Sequence, residues 1–402
     1  MNSKLKMAIL LASAVAAGPA LADAPGTHHQ ISVNDLPKPY ATPAVDNSAQ
    51  VVPRPANVTP EAPKGFTVSV YASGLANPRW MALAPNGDVF LAQPKTGEIT
   101  LLRGATKAEH TYTFASGFDR PHGLAFHDGA LYVGDVEAVW KLPYKDGATK
   151  AAGPRERITK QGFGGDSDHW TRDIAFGRDG TLYVAIGSGA NVEMGEPPTR
   201  ASVQKVNADG TLTTFASGIR NPVGIAFYPG TNQVWVSVNE RDGLGDNLPP
   251  EYVTHLEQGA FYGWPYAYIG PHPDPTFGAK RPDMVAKTKT PDVLLEAHCA
   301  PLGLAFYEGA QFPVEYKGDA LVACHGSWNS GHPHGYKVVR IHFANGKPAG
   351  GYDDFLTGFR VDDSNTPKVY GRPAGLLVAK DGSLLIADDA DKTVWRVSYG
   401  GK

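Results

Sequence analysis

The chain has 402 residues, with 37 Lys and Arg against 40 Asp and Glu, for a net charge of −3. With no basic tail or charge block, that balance excludes bulk attraction to nucleic acid or anionic lipid. Two cysteines without a Cys-x-x-Cys-His motif exclude a covalently attached c-type haem.

Residues 1–22 read as a secretory signal. Lys4 and Lys6 form the charged start, Met7 to Ala17 the apolar stretch, and Ala20-Leu21-Ala22 the cleavage site. The apolar stretch is too short to span a bilayer as a stable helix, and no later segment is long enough. The mature chain is therefore expected to be periplasmic or secreted. Residues 23–63 are rich in Pro, Ala and Asn and lack periodicity, which predicts an extended or disordered surface segment.

From residue 64 to 402 one phrase returns six times: a turn residue or Pro, a short apolar run, a Gly-centred turn and a second apolar run. The copies start at Pro78, Pro121, Thr171, Pro222, Pro301 and Pro373, at gaps of 43, 50, 51, 79 and 72 residues. A two-strand unit at this interval predicts an all-β fold, a six-bladed β-propeller with one unit per blade. Within the second copy Leu124, Phe126, Leu131 and Val133 alternate about Asp128-Gly129, as strands joined by a hairpin do. The strand beginning at Gly65 is placed to complete the last blade, beside TVWRVSY near residue 399, and so to clasp the ring. The two long gaps predict insertions on the binding face, one around residues 243–270 and one around 325–343. Apart from short turns, around Pro249 to Leu256, no helix is expected.

Cys299 stands just before the first strand of the fifth copy and Cys324 ends the next strand. The ends of a hairpin lie side by side, so a disulfide is expected, with two buried free thiols as the alternative.

At or just before the same point of each phrase come Arg79, His122, His169 with Arg172, Arg220, His298 and Arg372. In a closed ring these would converge on one mouth of the axial channel. Such a funnel suits a small ligand with several carboxylates or phosphates, which Arg binds bidentately. Taken singly, each of the six, Arg79 and Arg172 among them, reads better as a structural residue holding loops; taken together, the six point to the axis. Asp168-His169 ahead of an inner strand is a candidate base with a neighbouring carboxylate to fix its tautomer. The oxygen-rich loop from Asn239 to Asp246 is a candidate hard-cation site or a solvated acidic turn. His325, His332 and His334 fit no standard zinc spacing.

Together, Asp168-His169, GIRNPVGIAF (218–227), NERDGLGDNLPPE (239–251), YGWP (262–265), HCAPLGLAF (298–306), HGSWN (325–329) with GYKVVRI (335–341), and GRPAGLLV (371–378) resemble the pyrroloquinoline quinone (PQQ)-dependent sugar dehydrogenases. The likeness is greatest to the sorbosone dehydrogenase branch, related to soluble glucose dehydrogenase. The resemblance implies a six-bladed propeller holding PQQ and one Ca²⁺ on its axial face. It also implies oxidation of a sugar or sugar aldehyde by hydride transfer to C5 of the quinone, and an external acceptor, a cytochrome or a quinone. His169 would be the general base, with Asp168 beside it. Arg220 and Asn221 would contact the quinone, Arg372 a PQQ carboxylate, and carbonyls near Arg241, Asp242 and Gly243 the Ca²⁺. Arg79, His122, His298 and His325 would line the cofactor pocket. Two departures count against glucose as substrate. Ser188 stands where the glucose branch has an acid, and His325-Gly326-Ser327 where it has a Lys. The rival classes are a non-catalytic NHL-type ligand-binding propeller and a metal-dependent lactonase propeller.

Overall fold

The central strands of the repeats are buried on both faces, and each face meets a different neighbour. In Leu182–Ile186, the side chains of Leu182, Val184 and Ile186 join a core with the preceding repeat, and Tyr183 and Ala185 join one with the following repeat. A strand in this setting needs apolar residues at nearly every position, which explains the short unbroken runs in the sequence. Six such cores lie between six sheets, including one between the last sheet and the first.

The computed structural model describes residues 23–165 and 168–401, so the signal-like stretch 1–22 lies outside the described residues. Each blade is an antiparallel sheet running outward from the axis. The inner strands are Trp80–Leu83 (blade I), Leu124–His127 (II), Ile174–Phe176 (III), Asn221–Phe227 (IV), Pro301–Phe306 (V) and Pro373–Val378 (VI). Each inner strand packs on the next, and blade VI packs on blade I, so the ring is closed. The clasp forms as expected, with Phe66–Ala72 pairing antiparallel with Thr393–Tyr399 as the outer strand of blade VI.

The Pro-x-Gly phrase has a direct cause. A Cβ on Gly224 would stand 2.4 Å from the Leu302 carbonyl oxygen, one on Gly303 2.4 Å from that of Ala374, and one on Gly375 2.1 Å from that of Arg79. Each inner strand thus presses its backbone on the next, and only glycine leaves the room. Blade III carries Asp173 at this point instead. Its carboxylate accepts from Ile225 N in blade IV at 2.9 Å, and burial pushes its pKa up to about 8.

The structure revises several expectations. The segment around Pro249 to Leu256 is not helical: Glu251–His255 is the third strand of blade IV, paired with Trp235 to Val238. The excursion follows this strand, and within it Pro282–Lys287 forms a short α-helix. Residues 23–63 lie on the surface, the first of the two expected alternatives, and add pairings that were not foreseen. His28–His29 adds a fifth strand to blade V, and Gln50–Val51 pairs in parallel with Lys368–Val369. The disulfide is not formed, and Cys299 and Cys324 stand as buried thiols. The ladder pairs Cys324 with Pro301, while Cys299 lies two residues earlier, in a segment turned by positive φ at His298 and Ala300. Burial, then the neighbouring Cys324, holds the Cys299 thiol well above its ordinary pKa. Among the described residues no helix is long and apolar enough to cross a membrane.

Candidate active site on the propeller axis

One end of the axis opens into a cavity of about 500 Å³. Its walls are the segments that enter the inner strands and the loops that leave the second strands. Arg79, Asp168, His169, Arg220, Asn221, Asp242, His298, His325 and Arg372 all line it, as the sequence implied. His122, Arg172, Arg241 and Gly243 do not.

The exclusions have structural reasons. His122 is fully buried between Trp80 and Trp170, at ring-centroid distances of 4.3 and 5.7 Å, and burial drives its pKa well below the ordinary value. Arg172 is buried and donates to the carbonyls of Gly165, His169 and Thr171, so it serves the loop. The matching phrase positions in blades IV to VI are Val223, Leu302 and Ala374, which help plug the axis. Arg241 turns its guanidinium to Asp274 at 2.6 Å.

His169 is set by Ser188. Its Nδ1 lies 2.9 Å from the Ser188 carbonyl and 3.0 Å from the Ser188 hydroxyl. A carbonyl only accepts, so Nδ1 carries the proton and Nε2 keeps its lone pair. Burial, then the charge of Arg220, lowers the His169 pKa to about 3, so the ring is neutral at physiological pH. Asp168 is exposed and makes no hydrogen bond to His169, which corrects the expected orienting role. Sequence adjacency sends the two side chains different ways here.

Arg220 spends all five N–H groups within the protein, on the carbonyls of Asn191, Asn239 and Glu240, on the Asn191 side chain and on Asp242. It braces the blade III and blade IV loops, and contact with a quinone would require it to exchange a partner. Arg372 uses two donors, on the carbonyls of His325 and Gly326. Arg79 and His325 share Asp389, at 2.7 and 2.9 Å. Burial lowers the His325 pKa to about 4; Asp389 lies below its ordinary value because His325 and Arg79 outweigh its own desolvation. His298 donates to the Gly245 carbonyl at 2.9 Å and lies 3.5 Å from Asp242.

The cavity also holds buried polar atoms without a partner: Thr171 Oγ1, Asn221 Oδ1 and Glu240 Oε1. Leaving such atoms unsatisfied costs about 1–3 kcal/mol each, so a polar occupant would relieve real strain. Burial raises the Glu240 pKa to about 7 and that of Glu251 well above its ordinary value. No three His, Cys, Asp or Glu side chains gather as a metal set among the described residues. The Asp242 carbonyl is already taken by Asn191 and Arg241. Of the loop residues expected to hold a cation, only Asp242 lines the cavity, and beside it Glu240 Oε1 is the carboxyl oxygen without a partner.

Sequence reasoning missed Asn191 and Arg200. Asn191 follows the second strand of blade III, the position that Asn239–Asp242 hold in blade IV and His325–Trp328 in blade V, so the repeat itself was the signal. Arg200 is buried and donates to the carbonyls of Gly164, Gly165, His169, Gly187 and Ser188, with Glu196 at 3.3 Å. Nothing in the sequence marks it.

A six-bladed propeller with a polar, cation-rimmed axial cleft and a neutral histidine at its mouth defines a ligand-binding ring of the kind that carries small-molecule chemistry on its axis. More particularly, the chain belongs to the TrAA12-like family, whose model matches residues 60–257 and 278–400. The unmatched stretch falls in the blade IV excursion. A Borreliella burgdorferi protein described as uncharacterized is 31% identical over 356 residues, covering 85% of this chain and 91% of its own. A pyrroloquinoline quinone-dependent pyranose dehydrogenase of Coprinopsis cinerea is 24% identical over 408 residues, covering 82% of this chain and 53% of its own. The fold is shared with the family AA12 enzyme of Trichoderma reesei (TM-score 0.73, 21% identity, 88% and 100% of the two chains covered). It is also shared with the holo PQQ domain of the Coprinopsis cinerea pyranose dehydrogenase (TM-score 0.72, 20% identity, 87% and 98% covered).

Proposed function

We propose that this protein is an exported PQQ- and calcium-dependent dehydrogenase that oxidises a sugar or sugar aldehyde and passes the electrons to an external acceptor. The observation that carries the reading is the cleft itself. Unpartnered oxygens at its base, a neutral imidazole in its wall and arginines on its rim are what a polycarboxylate redox cofactor and a sugar hydroxyl require together. Membership of the TrAA12-like family supports the same reading. The low charge on the His325-Gly326-Ser327 loop and the hydroxyl at Ser188 favour a sugar other than glucose, with the sorbosone branch as the nearest pattern.

PQQ when bound supplies the two-electron acceptor. The chain supplies position and proton handling. His169 Nε2 would take the proton of the substrate hydroxyl, because Nδ1 is committed to Ser188. Arg372 and Arg79 would hold carboxylates at the rim, Asn221 would bond the cofactor ring, and a cation would draw on Glu240 and Asp242, the residues of that loop that reach the cleft. Arg220 fixes the loops on which these groups sit.

The test is reconstitution of the purified protein with PQQ and Ca²⁺, followed by quinone absorbance and by dye reduction over a panel of aldoses and keto-sugar aldehydes. Turnover is expected, and His169→Ala should remove it while PQQ stays bound. Absence of both PQQ binding and turnover would return the protein to the ligand-binding propellers.

A further inference from the structure

All seven tryptophans fall within the described residues, and Trp328 alone is exposed, at 47%. It stands in the wall of the axial cleft, on the loop that leaves the second strand of blade V, Ala320–Cys324. Among the described residues no ring stacks on its indole, no cation sits over it and no acceptor takes its N–H. The other indole of the cleft is already engaged. Trp170 has the guanidinium carbons of Arg79 and Arg120 at 5.6 and 6.0 Å from its centroid, and the His122 ring at 5.7 Å.

An indole on a loose loop would turn back onto the core, because apolar surface left in water is unfavourable. This loop is held on both sides of the ring. Ser327 N donates to the His334 carbonyl and the Ser327 hydroxyl accepts from His334 N, both at 3.0 Å, while the Ser327 carbonyl accepts from the Tyr336 hydroxyl. The carbonyl of Trp328 itself accepts from Asn47 N at 2.7 Å. Asn329 is buried; its amide donates to the Val45 carbonyl and accepts from Gly243 N, both at 2.9 Å. The indole is therefore a fixed plate, and two of the bonds that fix it come from the N-terminal segment. Polar side chains share the cavity with it, among them Asn191, Asn239, Asp242 and His298.

We propose that Trp328, held by residues 45–47, is the platform on which the substrate's sugar ring lies, and that it makes the site select a closed ring over an open chain. The inference rests on the dehydrogenase reading for the identity of the occupant. A pyranose is amphipathic, with hydroxyls around its edge and a patch of C–H groups on its face. One apolar plate among polar side chains complements that shape, since the face packs on the indole and the edge finds hydrogen-bond partners. A short open-chain aldehyde has no rigid face and gains little from the plate. Of the two substrate classes that the proposed function leaves open, the closed-ring sugar is the one this cleft is built for.

The experiment sets an aldopyranose against glyceraldehyde in wild type, Trp328→Ala and Trp328→Phe, with folding checked by thermal melting. Dye reduction on the reconstituted proteins reads kcat and KM, and quinone absorbance reads PQQ binding. In Trp328→Ala, kcat/KM for the pyranose is expected to fall about 10- to 30-fold, chiefly through KM, as loss of one buried aromatic contact allows. The change for glyceraldehyde should stay within about twofold, and Trp328→Phe should recover most of the pyranose loss. Protein beginning at residue 61 lacks Val45 and Asn47, so it should share the raised KM for the pyranose and keep its kcat. Equal losses for both substrates, or weakened PQQ binding, would put the cofactor rather than the sugar on the indole and overturn the platform. Unchanged kinetics with the pyranose would overturn it as well. Indole fluorescence of the proteins without PQQ separates this inference from the reading beneath it. If the pyranose shifts the wild-type emission but not that of Trp328→Phe, and no substrate is oxidised, the platform stands and the dehydrogenase reading falls.

Discussion

Arg200 holds His169 without touching any reacting group. Its donors gather the carbonyls of residues 164–165, 169 and 187–188, so the loop that carries the imidazole hangs from one guanidinium. Gly187 completes the fit, because a Cβ there would stand 2.4 Å from Asn221 Oδ1 and 2.5 Å from His169 Cβ. Arg200→Met is expected to lower kcat by about 10- to 100-fold with a smaller change in KM, and Arg200→Lys to recover part of it, as a displaced rather than a lost base would behave. Steady-state kinetics on reconstituted protein decide it, and an unchanged kcat would exclude the positioning role. The pH profile gives an independent check. The His169 pKa is lowered to about 3, by burial and then by Arg220, so the ring is in its proton-accepting form at any pH well above that value. Falling pH should therefore leave no acid limb from this group near its unperturbed value of about 6.5. A limb there that survives in Glu240→Gln, the other group of the cleft with a pKa of about 7, would show that His169 titrates as a solvated side chain. His169, Asn221 and Arg372 were legible in the sequence because the repeat phrase fixes where they stand. Arg200 was not, because its work is bonding to main-chain carbonyls whose path no local pattern encodes. The same phrase also placed His122 and Arg172 on the axis, where burial behind Trp170 and capture by loop carbonyls keep them from the cleft.

At the scale of the strand, the Pro-x-Gly phrase records how closely one inner strand lies on the next. Gly303→Ala puts a methyl group 2.4 Å from the Ala374 carbonyl oxygen, so the backbone must move. The expected cost is about 1–3 kcal/mol, read as a lower melting temperature, and Gly224→Ala should cost a similar amount against Leu302. If either variant melted with the wild type, close backbone approach would not be the reason for the glycine. The strands themselves were legible, since a turn every few residues between apolar runs leaves few other folds. The Pro249 to Leu256 segment was misread because Pro-Pro-Glu resembles a helix start, while Tyr252 and Val253 are in fact buried and paired in the ladder of blade IV. The N-terminal segment was illegible for a different reason. It has no apolar period, and scattered contacts hold it: two short strand pairings, main-chain bonds to Leu244 and Trp328, and side-chain bonds from Thr42 to the Asp246 amide, Asn47 to the Ser330 and Asn365 carbonyls, and Arg54 to Asp391.

Over the whole ring, two pieces of N-terminal chain do different jobs, and truncation separates them. Phe66–Ala72 is a strand of blade VI, and without it the Thr393–Tyr399 strand becomes an unpaired edge and the core beneath Phe66 opens. Residues 23–60 instead run across the cleft face. They tie the blade IV loop at Leu244 and Asp246, the blade V loop at Trp328 and Ser330, and the blade VI entry at Val369. At their start, Asp23 meets the buried Lys337 ammonium at 2.9 Å, alongside Glu296 and Asp354. Protein beginning at residue 61 should therefore fold, since Lys337 keeps two carboxylates and every blade keeps four strands, blade V losing only its added fifth, His28–His29. Its melting temperature should fall by several degrees, and limited proteolysis should cut first in the untied loops around residues 241–248 and 325–336. Protein beginning at residue 73 should fail to give a folded monomer by gel filtration and circular dichroism. Were the two truncations equally stable, the closing strand would not be what holds the ring. Were the shorter truncation to melt with the full chain and resist the protease, the segment would lie on the face without bracing it.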